Sequence, residues 1–192
     1  MTQRTNKDIR DNYQKYLNFL QGYKECPDRL IYLSGIKGNH QTTRQTIVSV
    51  LHEESKVEIK LILESSIKDK RSYKFKLRAE VLTSEPYFRF DSDGPSHFNR
   101  SLDVPLAEQK IDTPHFNAFD QNGKSIAYHT ETLNIEQEKK AILDDISLGM
   151  AHFCDEANLY CNTEHVEVSQ FVSGELGIEL DNLTPLDGIE YD

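Results

Sequence analysis

The sequence predicts an α+β domain: a single antiparallel sheet, made of a meander and a hairpin, packed by an N-terminal helix and a long C-terminal helix and followed by an acidic extension. Three observations predict it. Apolar and polar residues alternate over three successive segments in the middle of the chain. An Asn-Gly dipeptide separates two further short runs, and helical spacing appears only on either side of the strand region.

Near the N-terminus Ile9, Tyr13, Tyr16, Leu17, Leu20 and Tyr23 recur at helical spacing, with Thr5 as the expected cap and Gly22 near the stop. A period of two follows. Thr46, Val48 and Val50, then Val57, Ile59, Leu61 and Leu63, then Tyr73, Phe75, Leu77, Ala79 and Val81 fall on alternate positions, as three strands sharing one apolar face require. The linkers at 53–55 and 68–71 are short and polar, which suits antiparallel neighbours, and residues 87–90 form a fourth strand. From Asp91 to Pro114 periodicity fails and a long loop is expected, of the kind that often carries function. Runs at 115–120 and 125–130 flank Asn122-Gly123 as a hairpin. Ile135, Ile142, Ile146, Gly149, Met150, Phe153 and Ala157 then give one helical stripe, capped by Asn134 with Gln137 at the capping-box position. Residues 1–163 are assigned to the domain, and 164–192 to an extension that is partly docked or disordered.

At 192 residues the chain suits one hydrophobic core. No run approaches the roughly 20 apolar residues that span a bilayer, and no signal-like segment opens the chain, so a cytoplasmic protein with no membrane partner is expected. Cys26, Cys154 and Cys161 form no Cys-x-x-Cys pair and read as structural thiols. The net charge of −10 is concentrated at the end, because residues 164–192 hold eight carboxylates and no Lys or Arg. The segment from Lys56 to Arg78 is basic, so the molecule is bipolar.

Residues able to do chemistry concentrate around two similar triplets, His97-Phe98-Asn99 and His115-Phe116-Asn117. Alternation places Arg89 and Asp91, together with Tyr87, on one side of the fourth strand, opposite Phe88 and Phe90. In the strand starting at His115 that histidine shares its side with Asn117 and Phe119, and pairing the two strands would bring Arg89 and Asp91 near His115, with His97 arriving from the loop. Arg as a fork for phosphate, two histidines as acid and base, Asp to orient an imidazole and Asn to donate to an oxyanion are the ingredients of phosphodiester cleavage without a metal. The structural alternative is an Arg89–Asp91 pair on a sheet face, with His97 and Asn99 tying down the loop.

Asp91, Asp93, His97 and His115 offer a weak metal set, and none is assigned. No Gly-x-Gly-x-x-Gly, P-loop or Gly-x-Ser-x-Gly occurs, which removes support for nucleotide-fold and serine-hydrolase readings, and no cofactor is expected. Lys60, Lys74, Lys76 and Arg78 fall on the polar sides of their strands, either as a stripe that tracks nucleic-acid phosphates or as a solvated sheet face. The acidic extension is able to mask that face or to imitate a phosphate backbone toward a basic partner protein.

Arg89-Phe90-Asp91, Gly94-Pro95-Ser96-His97-Phe98-Asn99 and Pro114-His115-Phe116-Asn117, with Gly123 and Ala127-Tyr128, resemble the signature of a poorly characterised bacterial family. That signature runs Arg-x-Asp, Gly-Pro-x-His-x-Asn and Pro-His-x-His. More loosely, the run is similar to TumE-type toxin–antitoxin proteins. The resemblance covers residues 56–130, and Asn117 stands where the family has its second histidine. It implies a bacterial or phage protein linked to toxin or defence loci, with no established reaction. Two functions stay open at this point. One is a protein that contacts RNA or another nucleic acid and cleaves RNA through His97, His115, Arg89 and Asp91, with Asn99, Asn117 and the basic stripe as binding residues. The other is a non-catalytic inhibitor or antitoxin-like protein that binds a basic partner through 164–192.

Overall fold

A computed structural model of the chain describes residues 5–38, 40–100, 105 and 108–170. The N-terminal helix divides at Asn12 into α1 (Lys7–Asp11) and α2 (Tyr13–Gln21). Its cap is Asn6 rather than Thr5: the Asn6 side chain accepts from Ile9 N at 3.1 Å, and Asn12 leaves helical dihedrals at φ −129°. Ile9, Tyr16 and Phe19 are buried, so the two pieces still present one apolar face to the core.

Three short strands follow where the sequence predicts none: β1 (Lys24–Glu25), β2 (Leu30–Tyr32) and β3 (Gly35–Lys37). The expected meander is then β4 (His40–His52), β5 (Val57–Ser66), β6 (Tyr73–Arg78) and β7 (Phe88–Asp91). The strand after Tyr73 ends at Arg78, and Val81, expected on the apolar face, lies in a turn and is exposed. Tyr87 precedes β7 and is buried, so it does not share the polar side of Arg89 and Asp91. Within the expected loop, β8 (His97–Phe98) and β9 (Lys110–Ile111) pair as a small ribbon. The hairpin is β10 (His115–Phe119) and β11 (Ser125–Tyr128), closed by Gly123 at φ +69°, a conformation glycine adopts freely. Asp120 Oδ1 accepts from Asn122 N and Lys124 N in the same turn.

A correction concerns the sheet, which is mixed. Its nine strands run β11, β10, β7, β6, β5, β4, β1 and then β12 (Leu159–Tyr160), with β3 also paired to β4; β12 lies parallel to β1 through Lys24↔Leu159. A second parallel pair joins β2 to β13 (Glu167–Ser169), which docks the start of the acidic segment. Val166 and Val168 are buried there, while 171–192 lie outside the described residues. These contacts join positions far apart in the chain, and no tight turn between them leaves a local signal.

The expected long helix is likewise two: α3 (Glu136–Asp144) and α4 (Ile146–Ala157), separated by Asp145, whose carboxylate caps Ser147 N at 2.7 Å. Asn134 ends a 3-10 turn, and Ile135 is the exposed first flank of α3. Helix α4 packs on the sheet through Phe153, 5.6 Å from Phe75, 5.5 Å from Phe88 and 6.4 Å from Phe116 between ring centroids. Gly149 allows this approach, since a Cβ there would sit 2.2 Å from the Tyr73 hydroxyl, which itself bonds to Ile142 O. At the other edge, fully buried Lys24 donates to Leu20 O, Gly22 O and Ala157 O at 3.1, 2.7 and 2.6 Å, joining the ends of α2 and α4. No helix among the described residues is long and apolar enough to cross a membrane.

Candidate functional site

Burial of Phe88 and Phe90 in the core fixes the orientation of β7, and alternation therefore turns Arg89 and Asp91 to the opposite face. A one-residue slip would expose two phenylalanines, each worth roughly 1.5–3 kcal/mol when buried, so the register is held by the core. Pairing then builds a polar ladder across five strands, Gln45–Glu64–Lys74–Asp91–His115. Beside it lies a second row, Ile62–Lys76–Arg89–Asn117.

Asp91, only 4 % exposed, is the node of the site. Its Oδ2 accepts from Asn117 Nδ2 at 2.8 Å, lies 2.6 Å from Arg89 Nε, and faces His115 Nε2 at 3.8 Å. Its Oδ1 is 3.2 Å from Lys74 Nζ. Glu64 is a second node, reached by Lys37 Nζ at 2.7 Å, Gln45 Nε2 at 2.8 Å and Lys76 Nζ at 2.8 Å. Burial raises the Glu64 carboxyl pKa, but the hydrogen bonds and charges of Lys37 and Lys76 outweigh it, and the net shift is downward. For Lys76 burial wins over Glu64, and its ammonium pKa is lowered.

His115 follows a cis Thr113–Pro114 peptide, and its Nδ1 lies 3.3 Å from Asp112 O. A carbonyl oxygen only accepts, which assigns the hydrogen to Nδ1 and leaves the Nε2 lone pair toward Asp91. His97 has the opposite arrangement, with Nε2 donating to Ser125 O at 3.1 Å and Nδ1 left as the basic nitrogen. The two rings are 6.4 Å apart at 73°. Burial lowers both pKa values; the Ser125 carbonyl opposes it at His97, and the Asp91 charge opposes it at His115. Both histidines, Lys74, Arg89 and Asp91 line one cavity of about 190 Å³. A neighbouring cleft of about 350 Å³ adds Lys37, Glu64 and Lys76, and Arg89 belongs to both.

The structure thus brings together His97, His115, Arg89, Asp91, Asn117, Lys74 and Lys76. Asn99 is committed elsewhere: its Nδ2 donates to Ala127 O at 2.8 Å and its Oδ1 accepts from Ala127 N at 2.7 Å, which fastens the β8–β9 ribbon to the edge of β11. Lys60 and Arg78 share the polar face but lie further along it, around Glu80 at 2.8 and 3.9 Å, and line neither cavity. Glu64, Lys37 and Gln45 escaped the sequence reading. Alternation in β5 does point Glu64 outward toward Lys74, whereas Lys37 depends on β3, which has no visible signal. Among the described residues no group of three or more His, Cys, Asp or Glu side chains is arranged to hold a metal ion.

Four buried side-chain nitrogens or oxygens lack a hydrogen-bond partner among the described residues: Arg78 Nε, Arg89 Nε, Asp91 Oδ1 and Asn117 Oδ1. The Arg89 N–H lies close to Asp91 Oδ2 but does not point at it. All four residues carry their polar groups on this one sheet face, in a class of protein interior where such atoms are rare. Comparison with protein-family models, with curated proteins and with solved structures finds no match for this chain.

Proposed function

We propose that the polar face of the sheet binds the phosphate backbone of single-stranded RNA and that His97 and His115 cleave it. The observation that carries this reading is the convergence of half-exposed cations, two imidazoles of complementary tautomer and the unbonded Asn117 Oδ1 around Asp91. Lys74 and Arg89 supply the charge for a phosphate, and Asp91 supports the imidazolium of His115.

The chemistry follows from the tautomers. His97 Nδ1 takes the proton of a ribose 2′-hydroxyl, and the 2′ oxygen forms a bond to phosphorus. The bond from phosphorus to the 5′ oxygen breaks as protonated His115 Nε2 gives its proton to that oxygen. The products are a 2′,3′-cyclic phosphate and a 5′-hydroxyl, and the two histidines end with their charges exchanged. A place at toxin or defence loci rests on the resemblance alone.

The test is to incubate the full chain with single-stranded RNA and to follow both binding and product ends. Binding is expected to weaken steeply with salt, because each neutralised phosphate releases counterions. His97→Ala and His115→Ala are expected to abolish cleavage while leaving the fold intact. RNA that stays whole with the wild-type chain between pH 4.5 and 8 would sink the catalytic part.

A further inference from the structure

We infer that a cavity on the other flank of Arg89 is a nucleobase subsite, which takes a base through an N–H donor on its pairing edge. This inference rests on the phosphate reading above. The cavity measures about 300 Å³, and Pro86, Ala118 and Phe119 give it apolar walls. Phe119 is held firmly, its ring edge-on to Tyr16 at 6.1 Å and its N–H on the Tyr16 hydroxyl at 2.9 Å. A flat ring therefore meets a surface that does not have to be organised on binding.

Asn117 supplies the discriminating group. It is 6 % exposed, its Nδ2 donates to Asp91 Oδ2, and its Oδ1 is buried without a hydrogen-bond partner among the described residues. Turning the amide over would set Oδ1 against the Asp91 carboxylate, so the acceptor stays on the side away from Asp91. An unmet buried acceptor costs about 1–3 kcal/mol, which a ligand N–H recovers. Every base offers such a donor on its pairing edge, an amine in adenine and cytosine and a ring N–H in guanine and uracil, whereas 3-methyluracil has none.

Arg89 joins the two parts of the site. It lines this cavity and both phosphate cavities, stands directly across from Asn117 in the pairing of β7 and β10, and keeps its side chain 40 % exposed. Phosphate and base are thus read on the two flanks of one side chain.

Calorimetric titration of the full chain with uridine and 3-methyluridine 5′-monophosphates and with ribose 5-phosphate tests this. Uridine 5′-monophosphate is expected to bind at least about fivefold more tightly than the other two, the worth of one recovered hydrogen bond. Asn117→Ala is expected to erase that preference while ribose 5-phosphate still binds. Equal affinity for all three probes, or a preference that survives Asn117→Ala, overturns the base subsite and leaves the phosphate reading standing. Failure of all three to bind overturns both. If the variant does not fold, the ranking of uridine against 3-methyluridine nucleotide on the wild-type chain decides alone.

Discussion

His115 Nε2 faces Asp91 Oδ2 across 3.8 Å, just beyond hydrogen-bond length, on directly paired residues of neighbouring strands. The same oxygen already holds Asn117 and lies against Arg89, so Asp91 couples the imidazole to the Arg89 guanidinium. A proton arriving on Nε2 makes an imidazolium that the charge of this carboxylate favours.

Asp91→Asn removes that charge and keeps the shape. Because Arg89 and Lys74 are about two-fifths exposed, water screens what they lose, and the stability cost is expected to be only about 1–2 kcal/mol by urea denaturation. RNA cleavage is expected to fall by about 100-fold or more, since the acid loses its support. A variant that cleaves at the wild-type rate would remove Asp91 from the mechanism.

The pH profile follows from the two histidines. Burial holds both below the ordinary value of about 6.5, so at neutral pH both are neutral and the general acid is scarce. Cleavage is expected to peak below about pH 6.5 and to decline toward pH 8. Stability moves the other way: the unfolded chain takes up these protons at higher pH than the folded one, so the fold loses stability as pH drops below about 6.5. Calorimetric melting between pH 7 and 5 checks the sign, with His97→Ala and His115→Ala each flattening the slope.

Gly149→Ala probes the contact that orients the sheet. The added Cβ meets the Tyr73 hydroxyl and ring within 2.2–2.8 Å, and Tyr73 is buried and bonded to Ile142. A cost of about 1–3 kcal/mol is expected, as for overpacked cores, and an unchanged melting temperature would mean that α4 is not seated on Tyr73 as described.

Lys24→Met tests the buried ammonium. Three carbonyls lose their donor, with an expected cost of about 1–3 kcal/mol at pH 7. Burial lowers the Lys24 pKa to about 7, while an unfolded lysine holds its proton to about 10.4, so between these values the unfolded state binds more protons and stability rises with pH. Denaturation of both chains at pH 7 and 9.5 should show that rise in the wild type and its absence in Lys24→Met.

Much of the sheet and the centre of the site were legible because their signals are local. Alternation in residues 57–63 and 73–77 places each side chain on the correct face, and Arg89-Phe90-Asp91 beside a strand starting at His115 is enough to put Arg89, Asp91, His115 and Asn117 together. The break in the last helix was hidden because the apolar stripe runs on across Asp145, whose extended backbone ends α3 and whose carboxylate caps α4 at Ser147 N. Strands β1, β2, β12 and β13 are two or three residues long, and their partners are remote in sequence, so periodicity had nothing to register. Asn99 misled for a different reason. Its amide imitates a backbone strand, a use that residue type alone does not distinguish from ligand binding.

The most direct measurement is the analysis of RNA ends after incubation with purified protein at pH 5.5. The expected result is 2′,3′-cyclic phosphate and 5′-hydroxyl products from the wild-type chain, absent with His97→Ala and with His115→Ala, together with RNA binding that weakens as salt rises. Intact RNA and no salt-dependent binding would contradict it.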